Sequence, residues 1–532
     1  MKYIPSLSLS KQSIHSFLRF GVSSLLAIAL LNGSHLSFAA GIVGNGSPAS
    51  CTDAALITAL SGGGTVTFNC GSAAKTILFG NEKIITADTT IDGGNLISLS
   101  GGNSTRLFSV KPGVHFTLNN LTVMNGLTTG QGGAVHGGMY QNTVLNINHC
   151  NFLNNVSTIT GEAGGGAIFS SAGAVNVDKS TFTGNKAGVG GAIRVVQSNL
   201  TVTGSTFTNN KAIDPTLGDG GAIHIDGGKT DNGKIIIRSS TFTGNTASNY
   251  GGAVFNNILN NNTTAITDSV FTGNSDGIGG VNGQGGAIWS TGDPKIGGQW
   301  VINKNNTTLT IVNTVVKGNS ATKIGGGLFV ARHPKGAVIS RSTFSDNTAL
   351  MSVGGGIAQA ENGKLSVMNS TISNNTVKGA TALGAGIFVQ RTSKAFLTNI
   401  TVANNTANWQ AGGISGGLNV TLKNSILANN IAMNGGNNWN VKHNCFEPMT
   451  NGGRNLQFPK PIDTPCTAGI LIADPILGPL ANNGGLTPTR ALLPGSPASR
   501  LATGCPVTDQ RGVIRPNPVG TNCDSGAFEA GF

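Results

Sequence analysis

Between Val114 and Asn430 apolar residues come in short runs, and polar residues alternate with them or cut them off. Asn199-Leu200-Thr201-Val202-Thr203 and Lys234-Ile235-Ile236-Ile237-Arg238 are examples, each bounded by Gly, Asn or Asp. Such runs predict short β-strands punctuated by turns. No 3.6-residue apolar pattern of useful length lies in this interval, which argues against a helical solenoid.

The runs are organised by two recurring phrases. Gly-Gly-Ala-Ile or Gly-Gly-Ala-Val begins at Gly132, Gly165, Gly190, Gly220, Gly251 and Gly285, with looser versions at Gly326, Gly355, Gly384 and Gly412. An apolar-x-x-Asn phrase ends at Asn155, Asn185, Asn210, Asn245, Asn274, Asn319, Asn347, Asn375, Asn405 and Asn430. A period of this length means an array of stacked units rather than one globular core. It suits coils of three short strands and three turns, each about 4.8 Å above the last. Phe152, Phe182, Phe207, Phe242 and Phe271 are expected in one interior row. The asparagines are expected at a turn, bonded amide to amide along the stack and tolerating left-handed backbone angles. The glycines permit a tight bend, the small Ala a narrow interior. Parallel crossovers favour right-handed winding.

Composition then divides the chain. Lys2, Lys11 and Arg19 precede an apolar run from Gly21 to Leu31, with Ser37-Phe38-Ala39 after it, so residues 1–39 read as a cleaved signal peptide. The run is too short to span a membrane. Residues 40–113 read as an N-terminal cap and first coils, with a short helix at Ala54–Leu60 capped by Thr52 or Asp53. The repeats occupy 114–436. Residues 437–532 form a Pro/Cys-rich module, holding 12 of the 18 prolines. Cys51 with Cys70, Cys445 with Cys466 and Cys505 with Cys523 are the disulfide pairings nearest in sequence, although seven cysteines permit others. Export and paired cysteines imply an oxidising compartment. Cys150 takes the slot that Ser180, Ser205 and Ser240 hold elsewhere and reads as a buried structural thiol.

The alternating phrases resemble the repeat of polymorphic outer-membrane proteins and of the wider pectate-lyase-like β-helix superfamily, over roughly residues 50–436. Asn482-Asn483-Gly484-Gly485-Leu486-Thr487-Pro488-Thr489, Asp509-Gln510-Arg511-Gly512 and Cys523-Asp524-Ser525-Gly526-Ala527-Phe528-Glu529 resemble the closing module of choice-of-anchor bacterial surface proteins. The resemblance implies an all-β, right-handed parallel β-helix solenoid that is secreted or held at the cell surface. Fewer than 100 residues follow the array, without the alternating strands of a membrane barrel. The chain is therefore expected not to translocate itself.

Candidate chemistry is sparse. The densest acidic group is Asp214, Asp219, Asp226 and Asp231, near His224 and Arg238. Relatives that cleave acidic polysaccharides use clustered carboxylates, often holding calcium, with an Arg or Lys. On that alternative Asp219, His224, Asp226 and Arg238 would be catalytic, in a calcium-assisted polysaccharide lyase or hydrolase. Neighbouring coils are expected to offer Ser170 and Asn256 near the level of Asp226. No nucleophile elbow, zinc-ligand spacing or phosphate loop is present. A more even signal follows each Gly-Gly phrase: Phe169, Arg194, His224, Phe255, Trp289, Phe329 and Phe388 are expected in an outward row that stacks sugar rings or accepts a partner. The net charge of +12 falls to near +9 without the leader, and Lys and Arg are spread singly, so nucleic acid is not an expected partner. The leading expectation is a monomeric, non-catalytic binding or adhesive rod about 50 to 80 Å long. It would need no cofactor and no membrane-spanning segment after cleavage, and would face a glycan or cell surface.

Overall fold

The computed structural model describes residues 41–532 apart from 140–141, 231, 278–281, 293–294, 297–298, 301–305 and 462–463; the expected leader, Asp231 and most of the Thr291–Asn306 excursion lie outside the described residues. The chain is an all-β parallel solenoid. One face is a 12-strand sheet that includes Ile168–Ser171, Ile193–Val196, Ile223–Asp226, Val254–Asn257 and Ile288–Thr291. A larger sheet holds two short strands per coil, such as Lys234–Arg238 and Thr241–Thr243, and a narrow third holds pairs such as Thr246–Ala247. No described helix is long and apolar enough to cross a membrane.

Register makes the stack. Phe152, Phe182, Phe207, Phe242 and Phe271 are fully buried partners of one another. Their rings stack at 4.8, 4.8, 4.7 and 4.6 Å, which is the strand spacing itself. The asparagines form an unbroken internal ladder from Asn155 through Asn430 to Asn444. Asn245 is typical. Its Nδ2 donates to Asn274 Oδ1 (2.9 Å) and to the Phe207 carbonyl (3.0 Å), and its Oδ1 accepts from Asn210 N and Nδ2. The ladder asparagines are not themselves left-handed, contrary to expectation. That conformation falls one residue earlier, at Asn154, Gly184, Asn209, Gly244 and Asn374, with φ between 53° and 66°. The preceding residue makes the turn, and this leaves each ladder side chain pointing inward.

Gly220 and Gly221 show why the other phrase needs two glycines. Gly220 has φ +66°, while a Cβ on Gly221 would sit 2.0 Å from the Gly252 carbonyl oxygen of the next coil. Cys150 is buried in the serine row, where its backbone N–H bonds Ser180 Oγ at 3.0 Å and burial pushes its thiol up to about 12.

Helix Asp53–Leu60 covers the first coil, capped by Thr52 Oγ1, with Leu56 buried beneath it and Asp53 paired to Lys83 at 2.7 Å. The three disulfides join Cys51 to Cys70, Cys445 to Cys466 and Cys505 to Cys523. Strands Thr450–Asn451, Leu456–Phe458 and Leu471–Ile472 continue the large sheet. The remaining tail turns back along the outside of the coils. Thr343 Oγ1 donates to the Pro488 carbonyl (2.6 Å), Thr371 Oγ1 to Gln510 Oε1 (2.7 Å), and Ala527 N to Thr401 Oγ1 (3.0 Å). The outward row beneath it is Ser345, Ser373, Ala403 and Ala428, small residues that let the tail approach. The same row in earlier coils is Thr183, Thr208, Thr243 and Thr272.

Candidate functional site

The row after the Gly-Gly bend is in register along the 12-strand sheet. His136, Phe169, Arg194, His224, Phe255, Trp289, Phe329, Ala358 and Phe388 pair in succession. Rings stack where they meet: His136 on Phe169 at 5.2 Å, His224 on Phe255 at 4.5 Å, Phe255 on Trp289 at 4.4 Å and Trp289 on Phe329 at 6.0 Å. The Arg194 guanidinium lies over Phe169 at 5.9 Å.

The row is not the exposed contact surface that the sequence leads one to expect. Phe169, Arg194, His224, Phe255, Trp289 and Phe329 are only 2–8% accessible, and Phe388 is half-buried. Side chains that precede the Gly-Gly bend cover part of the row. Trp289 Nε1 donates to Gln284 Oε1 at 3.2 Å, and Tyr250 stacks on Trp289 at 5.6 Å. Tyr250, Ile324, Ala360 and Phe388 close a second apolar core with Phe255, Trp289 and Phe329. Substitutions in this row would test packing rather than recognition.

The acidic group is dispersed as well. Arg194, His224 and Asp226 sit on adjacent strands, but Arg238 is exposed on the large sheet. Asp226 pairs with Val196 and Asn257, not with the level of Ser170 and Asn256, which face the interior. Asp214 is tied to loop amides, accepting from Gly161, Thr216 and Leu217, and these bonds hold its carboxyl below the ordinary range against the raising effect of desolvation. Asp219 accepts from Asn249 Nδ2 and Tyr250 N, both at 3.0 Å. Burial pushes its carboxyl up to about 8, while burial and then Arg194 hold His224 well below the ordinary imidazole range. Burial also raises Asp226, against the opposing pull of Arg194. Asp219 and His224 are thus neutral near pH 7. Among the described residues no group of three or more His, Cys, Asp or Glu side chains gathers to hold a metal ion.

A protonated Asp219 has a consequence for stability. The folded state keeps a proton that the unfolded chain sheds, so this residue's contribution falls as pH rises from about 4 to about 8. Asp219→Asn keeps the acceptor and removes the titration. Its melting temperature is expected to gain on the parent's across that window; parallel curves for the two proteins would refute the assignment.

One polar chain escaped the sequence reading. Inside the coils Thr264 Oγ1 bonds Asn256 Oδ1 (3.0 Å), Asn256 Nδ2 bonds Ser290 Oγ (2.8 Å), and Ser290 Oγ meets His333 Nε2 (3.0 Å). Thr264 in a row otherwise filled by Ile235 and Leu309 was its only signal. Burial lowers His333 to about 3, and Ser290 and His333 are at most 2% accessible, so the pair faces no substrate.

Residues 179–195, 204–226 and 239–257 match the Chlamydia polymorphic membrane protein (Chlamydia_PMP) repeat. The chain carries polymorphic membrane protein repeats. In the structure such a repeat is one interior Phe, one rung of the Asn ladder and one Gly-Gly bend. The match covers part of the solenoid, and no curated protein and no solved structure matches the chain.

Proposed function

We propose that the protein is a surface-exposed, non-catalytic binding or adhesive solenoid directed at glycans or cell surfaces. The observation that carries this reading is the polymorphic membrane protein repeat, folded into a continuous stack in which the large sheet keeps a half-exposed outward row from Asn146 through Asn176, Thr201, Ile236 and Ala265 to Thr310. The lyase or hydrolase alternative finds no support in the placement of its residues. Asp219 and His224 are buried and neutral, and Arg238 is on another sheet. The purified protein is expected to bind cultured-cell surfaces or a subset of arrayed glycans without releasing product from uronic-acid polymers in calcium. Turnover lost on Asp226→Ala would overturn the reading, as would failure to bind any glycan or cell.

A further inference from the structure

Lysines that look evenly scattered in the sequence are brought together by register. Lys364 stands directly beside Lys394 on neighbouring strands of the large sheet, about one 4.8 Å spacing apart. Lys335 comes just before Gly336, where an added Cβ would lie 3.6 Å from Lys364 Cβ. All three lysines are exposed, and among the described residues no acidic side chain pairs with Lys364 or Lys394. Like charges opposed on adjacent strands destabilise a sheet unless something neutralises them.

The next outward row of the same face is Val338, Ser366 and Phe396. Val338 is 36% and Phe396 42% accessible, and Lys364 Nζ lies 6.0 Å from the Phe396 ring centroid. Phe396 therefore offers one exposed ring beside the cations, with Ser366 and then Val338 on the strands next to it. The surrounding coils reinforce the field. Residues 331–425 contain eight Lys and Arg against two acids, Asp346 and Glu361, whereas residues 142–277 contain seven against eight. Glu361 is already bound to Arg332 at 2.7 Å.

We infer that the face bearing Lys335, Lys364, Lys394 and Phe396 binds a linear acidic polysaccharide laid along the coil stack. Charge complementarity selects the occupant: cations repeat at about the length of one sugar residue, and Phe396 offers a ring for the apolar face of a sugar. The strip is one row of cations wide, which fits a single carboxylated or sulfated chain rather than a duplex flanked by two phosphate backbones. This rests on the reading of the solenoid as a glycan-binding surface and adds the ligand's charge and its location.

The test uses immobilised polygalacturonate and heparin with the full chain and three variants whose folding is checked by circular dichroism. Lys364→Glu with Lys394→Glu is expected to weaken binding at least about tenfold, since two attractions become repulsions. Phe396→Ala is expected to weaken it severalfold. Lys186→Glu with Lys211→Glu makes the same charge change on the narrow sheet, where those lysines are also stacked and exposed, and is expected to change binding less than about twofold. Equal loss in both double variants would show an effect of net charge alone and overturn the site. Equal affinity of the parent for duplex DNA would overturn the polysaccharide assignment. Binding only to neutral glycans or only to cell surfaces, unchanged in every variant, would remove this site while leaving the broader function standing; binding to no glycan and no cell surface would remove both.

Discussion

Asn245→Ala is expected to lower the unfolding free energy by roughly 3–5 kcal/mol, because each buried polar group left unpaired costs about 1–3 kcal/mol. The side chain is fully buried. Its removal strands Asn210 N, leaves Asn210 Nδ2 with only the Phe182 carbonyl, takes a donor from the Phe207 carbonyl, and leaves Asn274 Oδ1 with only the Asn245 backbone N–H. Ser205→Ala is the internal comparison. Ser205 Oγ accepts one N–H and donates to one carbonyl, so its loss should cost closer to 1–2 kcal/mol. Urea unfolding followed by circular dichroism decides the matter. A loss at Asn245 no larger than at Ser205 would mean that the ladder contributes little.

Arg515→Met is expected to free the tail while leaving the coils folded. Arg515 and Glu529 are both completely buried, 3.3 Å apart, and the guanidinium also donates to the Asp524 and Gly526 carbonyls at 2.7 and 2.8 Å. Burial already raises the Glu529 carboxyl. Breaking such a pair from one side costs about 3–5 kcal/mol, since an uncompensated charge stays behind. The neighbouring Asp509 is satisfied by Arg511 N, Val513 N, Arg511 Nε and Glu529 N, and Arg511 lies 3.6 Å over the Phe528 ring. The residues that stand out in the sequence as Asp509-Gln510-Arg511-Gly512 and Asp524–Glu529 therefore act as a lock. Limited proteolysis should cut the variant within residues 477–532, and hydrogen exchange should rise at Thr343, Thr371 and Thr401. A tail as protease-resistant as the parent's would refute the lock.

The interior was readable because a parallel stack turns a sequence period directly into a spatial row. From Phe152 to Phe271 each Phe of Phe-x-x-Asn meets its own kind one coil away, and Phe344 meets Val316 and Ile372, so periodicity and alternation give both position and burial. The asparagines followed for the same reason, although the left-handed residue was displaced by one position. The outward row was right in register and wrong in exposure. Register depends on the repeat, but cover comes from Tyr250, Gln284 and Ile324, which precede the bend and differ from coil to coil. Dispersal of the acidic group has a similar origin: nearness in sequence put Arg238 beside Asp226, while the turn between their strands carried it to a different sheet. The return of the tail left only a faint trace, the change from Thr to Ser and Ala along one outward row. The lysine face was hidden because Lys364 and Lys394 are one repeat apart in sequence and become neighbours only through strand pairing.

The asparagine ladder is also one-way. From Asn155 to Asn430 each Nδ2 gives one N–H to the Oδ1 of the following rung, so the amide dipoles align head to tail and polarise one another. Each storey accordingly shows the same fitting below and its complement above. Among the coils that the tail does not touch, a storey added or removed would meet a matching fitting, so the seam fixes the cross-section while the number of storeys sets the reach.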